Sequence, residues 1–544
     1  MLRQFLIFNA FSVFFVASVN IVKPGPQYPP TKGEVWPKPQ EQIKYDTYYK
    51  LHPSVFKFVE TGHTCPILLA AIERYKNVLR NTHHIAWKHS RRLVEAGTIH
   101  NITDHNYKGT IEELKINLNV PCEDLPYFKM DEGYTLNVSH VSQLKSDSIW
   151  GVLRGMETFA QLFYISDDYR DVFINTTSIQ DFPRYPHRGL LIDTSRHYVS
   201  VNNILKTLDA MEMNKLNVLH WHIVDDQSFP YQSEKFPQLS DKGAYHQSMI
   251  YTATNINQIV NYAKDRGIRV LPEFDVPGHT ASWGTVYPNV LTKCYEYEEV
   301  VGLGPMDPSN NMTYKLVGEL FEEVQKRFPD SYFHIGGDEV DLNCWKSNRD
   351  VRAFMTEHNM THVNELHGYF MKLVIPLLKP NTKPIVWQEV FDEGVPLTSD
   401  AIVQVWKSGA EELISILKAG HKLIFSSSWY LDQLKNGGDW EKFYFDDPRQ
   451  MIAEHTELDK NNIVGGEACM WGEAVDDNNI LSRVWPRTSA VAEKLWSAET
   501  PRYSYFYKSV ATEVFHRLEE HYCRMNRRGV KAQPPNGPGF CVVA

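Results

Sequence analysis

The chain has 544 residues, 42% of them hydrophobic and 12% aromatic, which gives it room for more than one core and none of the polar bias of a disordered chain. Its 56 basic and 66 acidic side chains leave a formal charge of −10 with no long basic run. That excludes a nucleic-acid partner, because phosphate binding is led by lysine and arginine clusters.

The first stretch, MLRQFLIFNAFSVFFVASVN, has one arginine, an apolar run too short to cross a bilayer, and small residues at Ala17 and Ser18. It reads as a secretory signal peptide over residues 1–18, with no stop-transfer segment after it and hence no membrane span. Secretion gives meaning to the N-x-[ST] triplets at Asn101, Asn137, Asn175, Asn311 and Asn359, each a candidate glycan site on a surface loop. In an oxidising compartment the seven cysteines imply up to three bridges with one left over, and spacing alone leaves the pairing open. Cys469, inside the apolar run IVGGEACMW, reads as a buried thiol.

Residues 19–54 form a proline-rich lead-in, KPGPQYPPTKGEVWPKP, too broken for a helix. Residues 55–182 read as a small α/β domain, with strand-like alternation in EELKINLNV and GYTLNVS and a helical stretch, IWGVLRGMETFAQLFY. Its polar residues form no catalytic cluster. From 183 to 500 eight short apolar runs alternate with amphipathic helices. The runs are GLLIDTSR, LNVLHWHIVDD, IRVLPEFDVPGH, YFHIGGDE, PIVWQEV, AIVQVWK, KLIFSSSWYLD and IVGGEACMWGE. Ser200 and Thr254 suit helix N-caps, and Gly267 and Gly420 suit left-handed stops. Eight such units predict a (β/α)8 TIM barrel whose strands are buried on both faces. Residues 501–544 are read as a C-terminal helix and tail.

In a barrel all carboxyl-terminal strand ends meet at one mouth. That gathers Arg196, Asp225, His279, Asp338 with Glu339, Trp387, Trp406, Trp429 with Tyr430 and Asp432, and Trp471 with Glu473. Aromatic rings stack on the apolar face of a pyranose while carboxylates and arginine take its hydroxyls, so the set predicts a carbohydrate substrate. A metal hydrolase would use His220, His222, His279 and His334, but strands five to seven bring tryptophan and tyrosine rather than ligands. No metal and no cofactor is therefore expected, and these histidines are read as satisfied or supporting groups. Asp338 and Glu339 are adjacent in HIGGDEV, so their side chains diverge and do not suit the opposed carboxylates of ordinary glycoside hydrolysis. A substrate whose 2-acetamido oxygen attacks its own anomeric carbon removes the difficulty: one acid protonates the leaving oxygen and the other holds the acetamido N–H.

The motifs DTSRHY, LHWHIVDDQSFPY, RGIRVLPEFDVPGHT, HIGGDEV, WQEV, WYLD and GGEACMWGE resemble family 20 glycoside hydrolases, closely the animal lysosomal-type β-N-acetylhexosaminidases, in order from about residue 60 onward. The resemblance implies Glu339 as general acid and base, Asp338 on the acetamido nitrogen and Tyr430 on its oxygen. It implies Trp387, Trp406 and Trp471 as pocket walls, Arg196 on hydroxyls 3 and 4, and Asp432 and Glu473 on hydroxyls 4 and 6. Asp225 and His279 would support Glu339. The family's bridges map onto Cys65 with Cys122, Cys294 with Cys344, and Cys523 with Cys541 in the tail, leaving Cys469 free. A homodimer and a lysosomal or secreted destination follow from the same likeness. WYLDQ, with Asp432 and the uncharged Gln433, resembles the subunit type that disfavours 6-sulfated sugars. A catalytically silent glycan-binding protein on the same barrel is the alternative, set back by the retention of both acids.

Overall fold

The computed structural model describes residues 31–95, 104–166, 170–407, 409–433, 438–500, 504–535 and 541. The signal-peptide reading and the Asn101 triplet lie outside them. All eight apolar runs become parallel strands of a closed barrel: β1 (His187–Asp193), β2 (Val218–Val224), β3 (Arg269–Phe274), β4 (Tyr332–His334), β5 (Lys383–Trp387), β6 (Ile402–Val405), β7 (Lys422–Phe425) and β8 (Ile463–Met470). They follow in chain order around the barrel, and β8 closes onto β1 with Gly465 opposite His187 and Met470 opposite Ile192. Ser200 caps the helix after β1 by accepting Asn203 N–H, and Gly267 and Gly420 end their helices at φ +64° and +82°. The helix Ala253–Lys264 is capped by Thr252, not Thr254, because Thr252 and Asn255 satisfy each other's backbone in a capping box.

Strand alternation sorts the barrel interior into layers. The floor is apolar: Val218, Leu271, Tyr332, Ile385, Ile402, Ile424 and Val464 pack together there. Two residues further along β2, β3, β4 and β6, the interior turns polar, with His220, Glu273, His334 and Gln404 buried beside Glu467 of β8. Glu467 accepts hydrogen bonds from His187 (2.6 Å), His220 (2.8 Å) and Gln404 (2.9 Å). The mouth residues stand above this ionic layer.

The N-terminal unit is a mixed sheet covered by the helices Pro66–Glu95 and Ile149–Gln161. It reaches further back than the lead-in reading allows. Residues Glu41–Leu51 form a strand that pairs antiparallel with Val172–Asp181, at the sheet's far side from Lys57–Glu60. Buried ionic contacts join this unit to the barrel. Glu132 accepts Arg154 from the helix (2.9 Å), Arg188 from β1 (2.5 Å) and Asn217 ahead of β2 (3.1 Å). Arg154 also donates to the carbonyls of Arg266 and Gly267, and Phe128 packs edge-on against Tyr332 of the barrel floor. The helix Ser504–Arg527 adds a clasp, Arg524 donating to Glu34 O while Glu520 accepts Gly33 N–H.

Disulfides join Cys65 to Cys122, Cys294 to Cys344 and Cys523 to Cys541, and Cys469 is a buried free thiol. Asn311 and Asn359 are exposed, at a helix start and a turn. Asn137 and Asn175 stand on strands rather than loops, and the Asn175 Nδ2 that a glycan would modify donates to Tyr45 O at 2.8 Å. No helix among the described residues is long and apolar enough to cross a membrane.

Candidate active site

Where β4 ends, the chain makes a left-handed run that only glycine enters freely: φ is +74° at Gly336 and +97° at Gly337, then +50° at Glu339. Gly336 has no room for a side chain in any case. A Cβ there would lie 1.9 Å from Asp275 Oδ1. This backbone turns the two adjacent acids to different surroundings. The Asp338 side chain is 12% exposed and sits beside the buried Asp275, whereas that of Glu339 is 59% exposed toward the mouth. Burial and the Asp338 charge push the Asp275 carboxyl well above the usual carboxylate range, which favours a proton within that pair, while its Oδ1 takes Gly337 N–H at 2.8 Å.

His279 links both acids to the barrel. Its Nε2 is 3.7 Å from Asp338 Oδ2 and 3.7 Å from Glu339 Oε2, and its Nδ1 is 3.2 Å from Asp225 Oδ1. Burial acts against its charge, yet the Asp225 hydrogen bond and the Asp338 carboxylate raise it to about 9. Burial would raise Asp225, but hydrogen bonds from His222 and His279 hold it well below its ordinary value. Arg196 braces the same carboxylate, with Nη2 2.9 Å from Asp225 Oδ2 and Nη1 2.9 Å from Asp193 Oδ2. Asp193 in turn accepts Gly472 N–H at 2.9 Å, tying the end of β1 to the end of β8.

Three tryptophans and Tyr430 form the wall. Trp406 stacks on Tyr430 at 6.3 Å, Trp471 lies 5.9 Å from Trp387, and the Arg196 guanidinium sits 5.2 Å over Trp471. Burial, with Cys469 and Asp338 beside it, holds the Tyr430 phenol far above its ordinary value, so its O–H stays available to donate. Asp432 and Glu473 lie at the rim, and burial raises Asp432, with Glu473 adding to the effect. Trp429 does not belong to this wall. It is wholly buried, packs edge-on against Phe425 and donates its indole N–H to Phe443 O at 3.0 Å, because it points to the opposite side of the chain from Tyr430.

Three further acids belong to the site and are missing from the sequence reading: Asp275, Asp193 and Glu389. Glu389 accepts the Trp406 indole N–H at 2.8 Å and is raised by burial and by Asp338. Asp193 and Asp275 had a usable signal, since each stands at the carboxyl-terminal end of a barrel strand, Asp193 as the last residue of β1 and Asp275 just after β3.

This geometry meets an independent finding. The profile of the glycosyl hydrolase family 20 catalytic domain matches residues 185–499. The chain belongs to that family. A second profile, described as beta-acetyl hexosaminidase like, covers residues 35–162 ahead of the family 20 domain. Among family 20 relatives the chain is 42% identical over 532 residues to the human beta-hexosaminidase subunit beta, covering 95% of this chain and 90% of that one. It is 41% identical to the mouse subunit alpha, covering 93% and 94%. A solved chitobiase from Flavobacterium johnsoniae superposes with a TM-score of 0.75 at 32% identity, over 91% of this chain and 73% of that one. This family 20 member is a glycoside hydrolase.

Proposed function

We propose that the chain releases terminal, non-reducing β-linked GlcNAc or GalNAc from glycoconjugates or chitooligosaccharides, with retention, through an oxazolinium formed by the substrate's own 2-acetamido group. The observation that carries this reading is the divergence of the adjacent acids: Asp338 is turned down beside Asp275 and Glu339 is turned outward at 59% exposure. Two carboxylates so placed cannot flank a glycosidic bond as acid and nucleophile. They can serve a substrate that carries its nucleophile.

In this mechanism Glu339 gives its proton to the departing glycosidic oxygen as the acetamido carbonyl oxygen closes on C1. Asp338 accepts the acetamido N–H and offsets the positive charge of the oxazolinium. Tyr430 donates its O–H to the acetamido oxygen, holding it in line. Glu339 then removes a proton from the water that opens the ring, so the acid returns to its starting state. Trp387, Trp406 and Trp471 wall the sugar, Arg196 binds hydroxyls 3 and 4, and Asp432 and Glu473 take hydroxyls 4 and 6. Asp225 and His279 support Glu339. With Asp432 acidic and Gln433 uncharged, neutral sugars are preferred over 6-sulfated ones. The three disulfides and the sequons support a secretory route, and we assign the chain to the lysosome or the exterior as a homodimer.

The test is turnover of an aryl β-N-acetylglucosaminide at about pH 4 to 7. Glu339→Gln loses about 10² to 10⁴ in rate while still binding. Full activity in Asp338→Asn would end the substrate-assisted assignment.

A further inference from the structure

The chemistry at the mouth rests on a buried ladder of alternating charges that continues down the barrel axis. His222 is its central rung. Its Nε2 lies 2.7 Å from Asp225 Oδ2 and its Nδ1 2.6 Å from Glu273 Oε2. A neutral imidazole has one N–H and one lone pair, so it cannot satisfy two carboxylates. With Asp225 and Glu273 both held below their ordinary values, and so ionised, both nitrogens are matched only when His222 is the imidazolium.

We infer that Glu273 is a positioning residue for the acid step: by holding His222 as a cation against Asp225, it governs how much of the Asp225 charge reaches His279 and thereby Glu339. This rests on the assignment of Glu339 as the proton donor. Glu273 touches no substrate. It is fully buried in the layer below the mouth and accepts the Trp387 indole N–H at 2.7 Å on its other oxygen.

Facing Glu273 from β2 are His222 and His220, the latter with Nε2 3.0 Å from Glu273 Oε2 and Nδ1 2.8 Å from Glu467. His334 of β4 faces it as well, with Nδ1 3.2 Å away, but burial lowers His334 and its Nδ1 accepts Gly336 N–H, so it contributes no charge. Asp275, just past the end of the same strand, is pushed toward its neutral form by burial and Asp338. Facing Asp225 are His222, His279 and Arg196, together with the more exposed Asp226, which has a carboxylate oxygen within 4.8 Å of both Asp225 and His279 and is untouched by the variant below. The Trp471 ring closes on His222 edge-on at 5.0 Å. Although burial alone would lower both histidines, the surrounding carboxylates raise His222 well above its ordinary value and His220 to about 9.

Glu273→Gln tests this with little change of shape. The amide oxygen keeps the Trp387 N–H, and the amide NH₂ donates one hydrogen to His222 Nδ1 and the other to His220 Nε2, so His222 keeps only its Nε2 proton and His220 only the Nδ1 proton it gives Glu467. These groups then remain partnered, so the variant folds, and the cations at both His222 and His220 are gone; of the two only His222 touches Asp225. Asp225, no longer offset from below, holds His279 more firmly as the imidazolium. That favours ionised Glu339, so the acid loses its proton at lower pH.

The measurement compares two β-N-acetylglucosaminides: one with an alkyl leaving group that needs a proton, and one with a dinitrophenyl group that departs as its anion. Glu273→Gln is expected to lose about 10-fold more on the alkyl substrate, and to move the alkaline limb of its kcat/KM profile down by about one pH unit. Equal losses on both substrates with an unmoved limb would leave Glu273 as packing and overturn the inference. Should that variant fail to fold, His222→Gln removes the same cation from the other side and must give the same split. Glu339→Gln is the reference. If it processes the alkyl substrate normally the proton-donor assignment itself fails, whereas a Glu339→Gln that fails there beside an unselective Glu273→Gln sinks only the role of Glu273.

Discussion

Replacing Gly336 by alanine isolates the backbone that separates the two acids. The new Cβ would lie 1.9 Å from Asp275 Oδ1 and 2.0 Å from its Cγ, and φ is +74°. The left-handed conformation costs a residue with a Cβ about 1 to 2 kcal/mol. Moving Asp275 aside leaves Gly337 N–H buried without its 2.8 Å acceptor, a further penalty of about 1 to 3 kcal/mol. Gly336→Ala is therefore less stable by roughly 2 to 5 kcal/mol. Because Asp338 leans on Asp275, a displacement near 1 Å is worth about 10² in kcat/KM. Gly420→Ala is the control: φ is +82° but a Cβ there meets nothing within 4 Å. It loses only the conformational term, about 1 to 2 kcal/mol, with activity unchanged. Denaturant melts and kcat/KM on an aryl N-acetylglucosaminide read both effects. If the two variants unfold together and Gly336→Ala keeps its activity, the claim that this glycine sets the carboxylate geometry is wrong.

Trp429→Ala lowers stability by about 3 to 5 kcal/mol and leaves KM within about twofold, while Trp471→Ala raises KM, and melts with Michaelis curves distinguish them. Arg196→Lys lowers kcat/KM by about 10- to 10²-fold, since an ammonium cannot span Asp193 and Asp225 as the guanidinium does. Stability is greatest at about pH 4.5 to 6.5. His220 and His279, raised to about 9, contribute fully below their unfolded value near 6.5 and lose that contribution as pH rises through 9. Glu273, Glu467 and Asp225, all depressed, contribute above their unfolded values and lose it only in strong acid. Denaturation midpoints that peak above about pH 8 would contradict this assignment. Equal turnover of neutral and 6-sulfated aryl substrates would remove the specificity assigned to Asp432 and Gln433.

The barrel was legible because its strands are buried on both faces and read as unbroken apolar runs, such as IRVLPEF. The strand Glu41–Leu51 was not, because most of it is exposed or half-buried and its partner lies more than a hundred residues away at Val172–Asp181. Trp429 and Tyr430 were read together because β7 ends at Phe425, and alternation cannot be carried through the turn over Ser426 to Ser428. Glu389 follows β5 on a short helix, where two-residue alternation no longer indicates direction. Glu273 and Glu467 sit mid-strand among apolar neighbours, and their partners on other strands, His222 and His187, come together only when the barrel closes.

Glu132 makes the catalytic half of this chain a poor candidate for transplantation. A gene cut to residues 183–500 would leave Arg188 and Asn217 facing an empty space where their shared acceptor had been, and Tyr332 without the ring of Phe128. Stranding one member of a buried ion pair costs about 3 to 5 kcal/mol, a large fraction of what any domain has to spare. None of the candidate site residues comes from the small domain, yet recombination that discarded it would strand the buried partners it leaves in the barrel. The same ties run from the helix Ile149–Gln161 and the segment that holds Phe128 and Glu132 into the amino-terminal ends of β1 to β4, on the side of the barrel away from the mouth.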